Sequence, residues 1–317
     1  MKIVLHIGAH KTATTYLQNR LSCSPALLAA HEMRFLGPAI LRHTSASVLS
    51  SRLRVFIPQV GALIRHRIAQ EIRRAERDGI ERLIISEESL LGRLGSLRSG
   101  GPLYARTGMR LRQLSNDLAA QFAGHELTVL LGIRNYAELY ASAIGHSIRR
   151  GRLSPMTERE RQRTLEMPRG WIEIIQDVIS ALPAHARLSI WRHEDFAQLE
   201  DQILAEMTGP TVASRLNPRK QRPLQRPTAA AVAHLLGQRT WFGRLRQKDV
   251  RAALTRFRPE LGYSPFCPWS DGEIAHMSVQ YNDDVRSLRR WRGSIIMQPR
   301  PIRYPIGYQN AVSSLAA

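Results

Sequence analysis

The sequence predicts an α/β protein in which a parallel β-sheet is flanked by helices on both faces and followed by a helical C-terminal extension. Apolar runs alternate with segments of helical periodicity, and these runs are apolar throughout instead of alternating with polar residues. Strands of this kind are typical of a parallel sheet that helices cover on both sides. With 317 residues, of which 43% are hydrophobic, the chain can bury one large core, so we expect a single domain over residues 1–317.

Five segments are predicted to be strands, because each is a short and mainly apolar run. In chain order they are Lys2–Ile7, the segment around Arg34–Leu36, the segment ERLIIS that ends at Ser86, Glu126–Ile133 and Ala186–Phe196. Helices are predicted where apolar residues recur every three or four positions. They are Thr14–Leu21, Val60–Arg77, Tyr104–Phe122, Tyr136–Arg149 and the segment around Ile203–Met207.

The formal net charge of +20 creates a field that attracts polyanions. Nearly all of the positive charge is arginine, spread along the whole chain, and no finger motif, RNA-binding signature or repeated basic helix organises it. We therefore expect a basic surface without a specific nucleic-acid partner.

The two cysteines, Cys23 and Cys267, are far apart in sequence and suggest neither a disulfide framework nor a metal-ligand cluster. The apolar stretch at the N-terminus is too short for a signal peptide, and no later window approaches the ~20 apolar residues that cross a bilayer. We expect a cytoplasmic protein without a transmembrane segment.

The first predicted strand is followed by GAHKTATT, Gly8–Thr15, at the point where a helix begins. In a parallel sheet, ligands bind at the carboxyl ends of the strands, and a helix start offers free backbone N–H groups to a phosphate. The triphosphatase pattern G-x-x-x-x-G-K-[ST] is absent, because Lys11 follows Gly8 by only three residues. A lysine that merely begins an exposed helix fits this position poorly, since the position adjoins the end of a buried strand.

The stretch HIGAHKTATTYLQ resembles the 5′-phosphosulfate loop of bacterial sulfotransferases that use 3′-phosphoadenosine-5′-phosphosulfate (PAPS). The resemblance implies a P-loop-type sheet, contact between Lys11 and the phosphosulfate, and a 5′-phosphate held by backbone amides and by the hydroxyls of Thr14 and Thr15. The residues that it assigns to the cofactor loop are Gly8, Lys11, Thr12, Ala13, Thr14 and Thr15.

Ala13 replaces the glycine that this family usually has in the loop. A Cβ at this position is harmless if the backbone is right-handed and costly if φ is positive. We expect the alanine to be tolerated.

The strand Glu126–Ile133 is followed by Arg134 and, eight residues later, by Ser142. An arginine at a strand end and a serine two turns into the next helix can converge on one phosphate. The pair resembles the family's 3′-phosphate motif, with Tyr136 in place of the usual proline. In the alternative interpretation, Arg134 pairs with Glu138 and Ser142 is an incidental helix residue.

The third predicted strand leads into Ser86 and two glutamates, Glu87 and Glu88. Glu88 aligns with the glutamate of the bacterial subgroup, where a carboxylate can act as general base toward an acceptor hydroxyl. Alternatively, the acidic pair is solvated and caps the helix after Ser89. His10 is the second candidate for the base.

The segment WRHEDF resembles the family's Y-E-D segment, and its polar residues are expected to cap a helix or to bind an arginine. Within the single domain, residues 1–200 are the predicted cofactor-binding core, and residues 201–317 are a basic loop and a helical part that packs on it. In relatives, a basic loop near this region closes over the 3′-phosphate. The basic residues of Leu216–Pro227 considered for this role are Arg219, Lys220 and Arg222.

Further on, the basic segment that contains Leu245, Val250 and Leu254 fits either a membrane-surface helix or, better, a core-facing one.

The resemblance implies a sulfotransferase that moves a sulfuryl group from PAPS to a hydroxyl or amine of a carbohydrate, lipid or small metabolite, without a metal. Sulfuryl transfer is an in-line displacement in which charge moves onto the leaving phosphate, and a lysine with backbone amides stabilises that charge. Two alternatives belong to other classes: a P-loop kinase or triphosphatase, and a non-catalytic basic module that binds polyanions. The oligomeric state has no signal in the sequence.

Overall fold

The computed structural model describes residues 1–42, 60–94, 97, 101–152, 156–217, 225–238, 244–291 and 296–299. It confirms the predicted α/β class, because a sheet of five parallel strands in the order β2-β3-β1-β4-β5 is surrounded by helices. The strands are β1 (Lys2–Gly8), β2 (Met33–Leu36), β3 (Arg82–Ser86), β4 (Glu126–Ile133) and β5 (Arg187–Arg192).

Helices occupy most of the rest of the described chain. In order they are α1 (Thr14–Ser22), α2 (Pro25–Ala29), α3 (Pro38–Leu41), α4 (Val60–Arg77), α5 (Thr107–Asp117), α6 (Ala119–Phe122), α7 (Tyr136–Arg149), α8 (Glu158–Glu166), α9 (Trp171–Ala181), α10 (Phe196–Thr208), α11 (Pro210–Ala213), α12 (Ala229–Leu236), α13 (Gln247–Arg256) and α14 (Asp271–Arg290). Short 3-10 turns lie at Glu88–Leu90, His193–Asp195 and Pro259–Leu261. No helix of the described part is both long and apolar enough to cross a membrane.

Both faces of the sheet are buried, as the continuous apolar strands predict. On β1, Ile3, Leu5 and Ile7 belong to the larger core, which includes α4, α5, α7, α9 and α14. Val4 faces the opposite side and belongs to a second core that α1 and α10 cover. Successive side chains of a strand point to opposite faces, so a strand without polar positions needs a helical layer on each side.

The central strand β1 is hydrogen-bonded to β3 on one side and to β4 on the other. The order of the strands therefore reverses at β1, and this switch point is where ligands bind in open α/β sheets. The carboxyl ends of β1, β3 and β4 lie next to one another there. These are the strand ends that precede Lys11, Glu88 and Arg134.

Two predicted elements differ in extent. The helix predicted at Tyr104–Phe122 begins only at Thr107, because Tyr104 is buried with a left-handed φ of 45°. It also divides into α5 and α6 around Leu118. The last strand ends at Arg192, where the chain turns into a 3-10 helix instead of continuing to Phe196.

The C-terminal helices pack on the α/β core. Helix α14 contacts α7 and α9 through buried residues that include Met277 and Tyr281. Leu245 and Val250 are buried in a small cluster with Ile148 of α7, which confirms the core-facing interpretation of the basic segment. Arg219, Lys220 and Arg222 lie outside the described residues.

Candidate functional site

The loop between β1 and α1 is held together by one carbonyl group. The oxygen of Ala9 accepts hydrogen bonds from the hydroxyls of Thr12 at 2.7 Å and Thr14 at 3.0 Å. The N–H of Ala9 donates to the carbonyl of Gly132 on β4 at 3.0 Å. Thr12 and Thr14 are buried, so these hydroxyls fix the shape of the loop, whereas Thr15 is exposed at the start of α1.

Three residues of the loop have positive φ angles: Gly8 at 105°, Lys11 at 66° and Ala13 at 67°. A Cβ added to Gly8 would lie 3.0 Å from the Cβ of Glu88, so this position needs glycine for both space and conformation. Ala13 is left-handed, with ψ at 13°, and therefore carries the cost of a Cβ at positive φ. Left-handed residues on either side of Thr12 form the kind of backbone nest that binds anions.

The loop also carries the backbone N–H groups of residues 11–15, and among these residues Lys11, Ala13 and Thr15 are at least partly exposed. Within the described ranges, none of these five N–H groups has a hydrogen-bond acceptor. They adjoin the N-terminus of α1, where the helix dipole is positive. Main-chain donors at the start of a helix are suited to an anionic group.

Lys11 extends from this loop toward helix α7. Its Nζ lies 3.2 Å from Nδ1 of His146. Burial lowers the pKa of Lys11 to about 8, and the positive charges of Arg134 and Arg149 act in the same direction. Glu88 acts in the opposite direction, so the ammonium is a partly buried cation with both cationic and anionic neighbours.

Arg134, at the end of β4, connects the loop with α7. One guanidinium nitrogen donates to the carbonyl of Lys11 at 2.9 Å, and the other donates to Glu138 at 2.8 Å. Its Nε is buried without a partner in the described part of the chain. The ion pair between Arg134 and Glu138, which the sequence suggested as an alternative, is therefore present. The same guanidinium also contacts the loop between β1 and α1.

Ser142 lies on α7, four residues after Glu138 and on the same side of the helix. Its hydroxyl makes no hydrogen bond to any described residue, and its side chain is partly exposed. Arg226, near the end of the predicted basic loop Leu216–Pro227, reaches Glu138 at 3.3 Å. The chain around Arg226 and Pro227 lies so close to Gly145 that a Cβ there would meet the proline at 3.0 Å.

Three basic residues near Lys11 and Glu138 were not predicted from the sequence: His146, Arg149 and Arg226. The position of His146 could have been predicted from the sequence. It belongs to a series with a spacing of four residues, which lies along one side of a helix: Arg134, Glu138, Ser142 and His146. Arg226 has no such signal, since its place depends on how the chain returns to α7.

The two glutamates after β3 have different surroundings. Glu87 is fully buried, binds Arg42 through both carboxylate oxygens, and accepts a hydrogen bond from the N–H of Ser89 at 2.9 Å. It therefore caps the 3-10 turn, as the alternative interpretation of the acidic pair predicts, but that interpretation is wrong in one respect, because Glu87 is buried and paired with Arg42 instead of solvated. Glu88 is partly exposed, packs against Gly8, and lies 3.2 Å from both Gln18 and Arg42.

Burial acts to raise the pKa of Glu88, but the charge of Arg42, together with the hydrogen bonds to the carboxylate, holds this pKa below its usual range. Gln18 donates both to Glu88 and, at 3.1 Å, to the hydroxyl of Ser86. Ser86 in turn contacts Nδ1 of His6 at 2.9 Å. The carboxylate is thus held in place from α1 and from the buried ends of β1 and β3.

His10 is bound to Tyr104. The tyrosine hydroxyl lies 3.1 Å from the backbone N of His10 and 3.0 Å from its Nδ1. Burial lowers the pKa of His10 to about 4, although the charge of Glu88 acts in the opposite direction. The ring is therefore neutral at pH 7.

The polar residues after β5 serve the structure, as the sequence suggests. Glu194 accepts hydrogen bonds from the N–H of Asn135 and from the hydroxyl of Tyr281, both at 2.7 Å. Asp195 pairs with Arg192 at 3.4 Å. The N-terminus of α7, which presents Arg134, is fixed in this way to β5 and α14.

The chain matches no model of a known protein family, and no curated protein is found to match its sequence. Among the described residues, no group of three or more His, Cys, Asp or Glu side chains is arranged to hold a metal ion. The arrangement itself offers main-chain donors, a lysine and an arginine for anionic groups, and a carboxylate at the same end of the sheet.

Proposed function

We propose that the protein is a sulfotransferase that moves a sulfuryl group from PAPS to a hydroxyl or amine of a carbohydrate, lipid or small metabolite. The observation that carries the proposal is the run of five N–H groups at residues 11–15, which have no acceptor among the described residues and lie beside the ammonium of Lys11. These groups would form the binding site for the 5′-phosphosulfate at the switch point of the sheet.

The residues present fit a donor with anionic groups at two ends. The loop, with Gly8 and Thr15 at its ends, would receive the 5′-phosphate. Arg134 and Ser142 would receive the 3′-phosphate, because the Nε of Arg134 and the hydroxyl of Ser142 have no partners in the described chain. The pKa of Lys11 is lowered mainly by burial and further by Arg134 and Arg149, and these neighbouring cations also favour a polyanionic ligand.

PAPS supplies an activated sulfur atom and a phosphate leaving group. Lys11 and the loop amides stabilise the charge that develops on the bridging oxygen, which leaves with the electron pair of the broken S–O bond. Glu88 accepts the proton of the acceptor hydroxyl while that oxygen forms its bond to sulfur. The low pKa of Glu88 keeps this carboxylate ionised at neutral pH.

The proposal extends to location and partners. We propose a cytoplasmic bacterial enzyme, in agreement with two free, exposed thiols, Cys23 and Cys267. Its partners are then the nucleotide donor and a small or polymeric acceptor. The basic surface is proposed to guide these anions and not to read nucleic acid.

Thermal unfolding with added adenosine 3′,5′-bisphosphate tests the proposal. A ligand at 100 times its dissociation constant stabilises the folded state by about 2.7 kcal/mol. We expect a clear rise in the melting temperature with the bisphosphate and a much smaller one with ATP and Mg²⁺. Stabilisation by ATP alone would favour the kinase alternative, and tight, salt-sensitive binding of oligonucleotides without nucleotide binding would favour the polyanion-binding module.

A further inference from the structure

The contact between Tyr104 and His10 determines which ring nitrogen of the histidine carries a proton. A backbone N–H can only donate, so the oxygen of Tyr104 accepts from the N–H of His10. Tyr104 is 1% exposed, and its hydroxyl proton has no acceptor in the described part of the chain other than Nδ1 of His10. Buried polar groups are paired, so the hydroxyl donates to Nδ1.

Because Nδ1 of His10 accepts, the proton of the neutral ring is on Nε2. Nε2 lies on the edge of the ring opposite to the one that contacts Tyr104. It has no partner among the described residues and is not enclosed, unlike Nε2 of His6, which is buried without a partner. An accessible N–H donor is therefore present one residue before Lys11.

We propose, on the basis of the proposed function, that His10 donates a hydrogen bond from Nε2 to the sulfuryl oxygens of the donor and that Tyr104 fixes this tautomer. His10 directly precedes Lys11 in the loop, and the charge of Glu88 acts on its ring. A fixed neutral donor stabilises negative charge on the transferred group without taking part in proton transfer.

This assignment separates His10 from the role of general base. An Nε2 that already carries a proton has no lone pair with which to accept the proton of an acceptor hydroxyl. Nδ1 has a lone pair, but Tyr104 occupies it. The proton must then go to Glu88, which is ionised and lies against Gly8 of the same loop.

Long-range ¹H–¹⁵N correlation spectra of the full chain with labelled histidine test the tautomer directly. At pH 7 we expect the His10 ring, assigned by its loss in His10→Gln, to be protonated at Nε2 alone. Tyr104→Phe should convert it into a mixture of tautomers, while the exposed His31 stays unchanged. Protonation at Nδ1 in the parent protein, or an unchanged His10 spectrum in Tyr104→Phe, overturns the proposal.

Calorimetry with PAPS and with adenosine 3′,5′-bisphosphate tests the contact. His10→Ala should weaken binding of PAPS about tenfold, the loss expected for one hydrogen bond to a charged group, and leave the bisphosphate unaffected. His10→Gln retains a donor but no base, and should bind PAPS within about threefold of the parent. Equal losses for both ligands in His10→Ala, or a glutamine variant as weak as the alanine variant, overturn the donor role.

The two experiments distinguish this inference from the proposed function. If the parent protein binds neither nucleotide, the sulfotransferase proposal fails and the contact to sulfuryl oxygens fails with it. The spectra still decide whether Tyr104 fixes the ring of His10, because they require no ligand.

Discussion

The Nζ of Lys11 lies 3.2 Å from Nδ1 of His146, although the two residues are on different elements of the site. Burial lowers the pKa of His146 to about 4, and the charge of Lys11 acts in the same direction, so the imidazole is neutral and accepts from the ammonium. An ammonium has three N–H groups, and this contact uses one of them. The remaining two have no partner among the described residues and can bind an anion above the loop.

Lys11 should titrate with a pKa of about 8 in the ligand-free protein, well below an ordinary lysine. Arg149→Ala removes a cation that disfavours the ammonium, so it should raise this pKa, and Arg150→Ala should raise it less because that arginine contributes less. NMR titration of the lysine side chains measures both effects, with Lys11→Arg to assign the signal. A parent pKa above 10, or a larger effect from Arg150→Ala, would contradict this account.

Arg134→Ala should weaken binding of adenosine 3′,5′-bisphosphate much more than binding of adenosine 5′-phosphate, because only the bisphosphate has the group that Arg134 is proposed to hold. Ser142→Ala should show the same selectivity with a smaller loss, since a neutral hydrogen bond is weaker than a charge-assisted one. Calorimetry with both nucleotides gives the two ratios. Equal losses for the two nucleotides in Arg134→Ala would exclude the role.

A variant with the opposite expected effect on bisphosphate affinity provides the control for Arg134→Ala. Glu138 binds Arg134 at 2.8 Å and Arg226 at 3.3 Å, and its charge repels a phosphate. Glu138→Gln should therefore strengthen binding of the bisphosphate and leave adenosine 5′-phosphate nearly unchanged. Weaker binding of the bisphosphate would show that Glu138 positions Arg134 more than it competes with the ligand.

The fold could be predicted well from the sequence where one physical signal dominates. Glu126–Ile133 is apolar along its whole length and Tyr136–Arg149 has a clear helical period, and both elements have the predicted bounds. The helix predicted from Tyr104 failed because a tertiary contact, the burial of the Tyr104 ring with positive φ, outweighs local helical propensity.

The candidate site could be predicted only in part. Lys11, Glu88 and Arg134 each follow a strand, and a parallel sheet brings strand ends together, so their proximity follows from the pattern. The ion pair between Arg42 and Glu87 and the contact between Tyr104 and His10 join residues that are distant in sequence. Such contacts depend on how the loops return to the sheet, which no local periodicity encodes.

Ala13→Gly should raise the free energy of unfolding by about 0.5–1 kcal/mol, because relief of the Cβ at positive φ exceeds the entropy that glycine adds to the unfolded chain. Gly79 is the matched control, with the same φ of 67° and no atom within 4 Å of an added Cβ. Gly79→Ala should lower the free energy of unfolding by about 1 kcal/mol. Denaturant titration measures both, and a destabilised Ala13→Gly would refute the strain.

Glu88→Gln should retain the fold and nucleotide binding and lose about 10²–10⁴-fold in turnover, because it keeps the shape of the side chain and removes the proposed base. Glu87→Gln is the control and should keep near-normal turnover, but its buried pair with the half-exposed Arg42 is weakened, at a cost of about 1–3 kcal/mol in unfolding free energy. Formation of adenosine 3′,5′-bisphosphate from PAPS in the presence of acceptor, and denaturant titration, separate the two effects. If Glu88→Gln remains as active as the parent while both His10→Gln and His10→Ala are inactive, the base is His10, and both the assignment of Glu88 and the donor role of His10 are wrong.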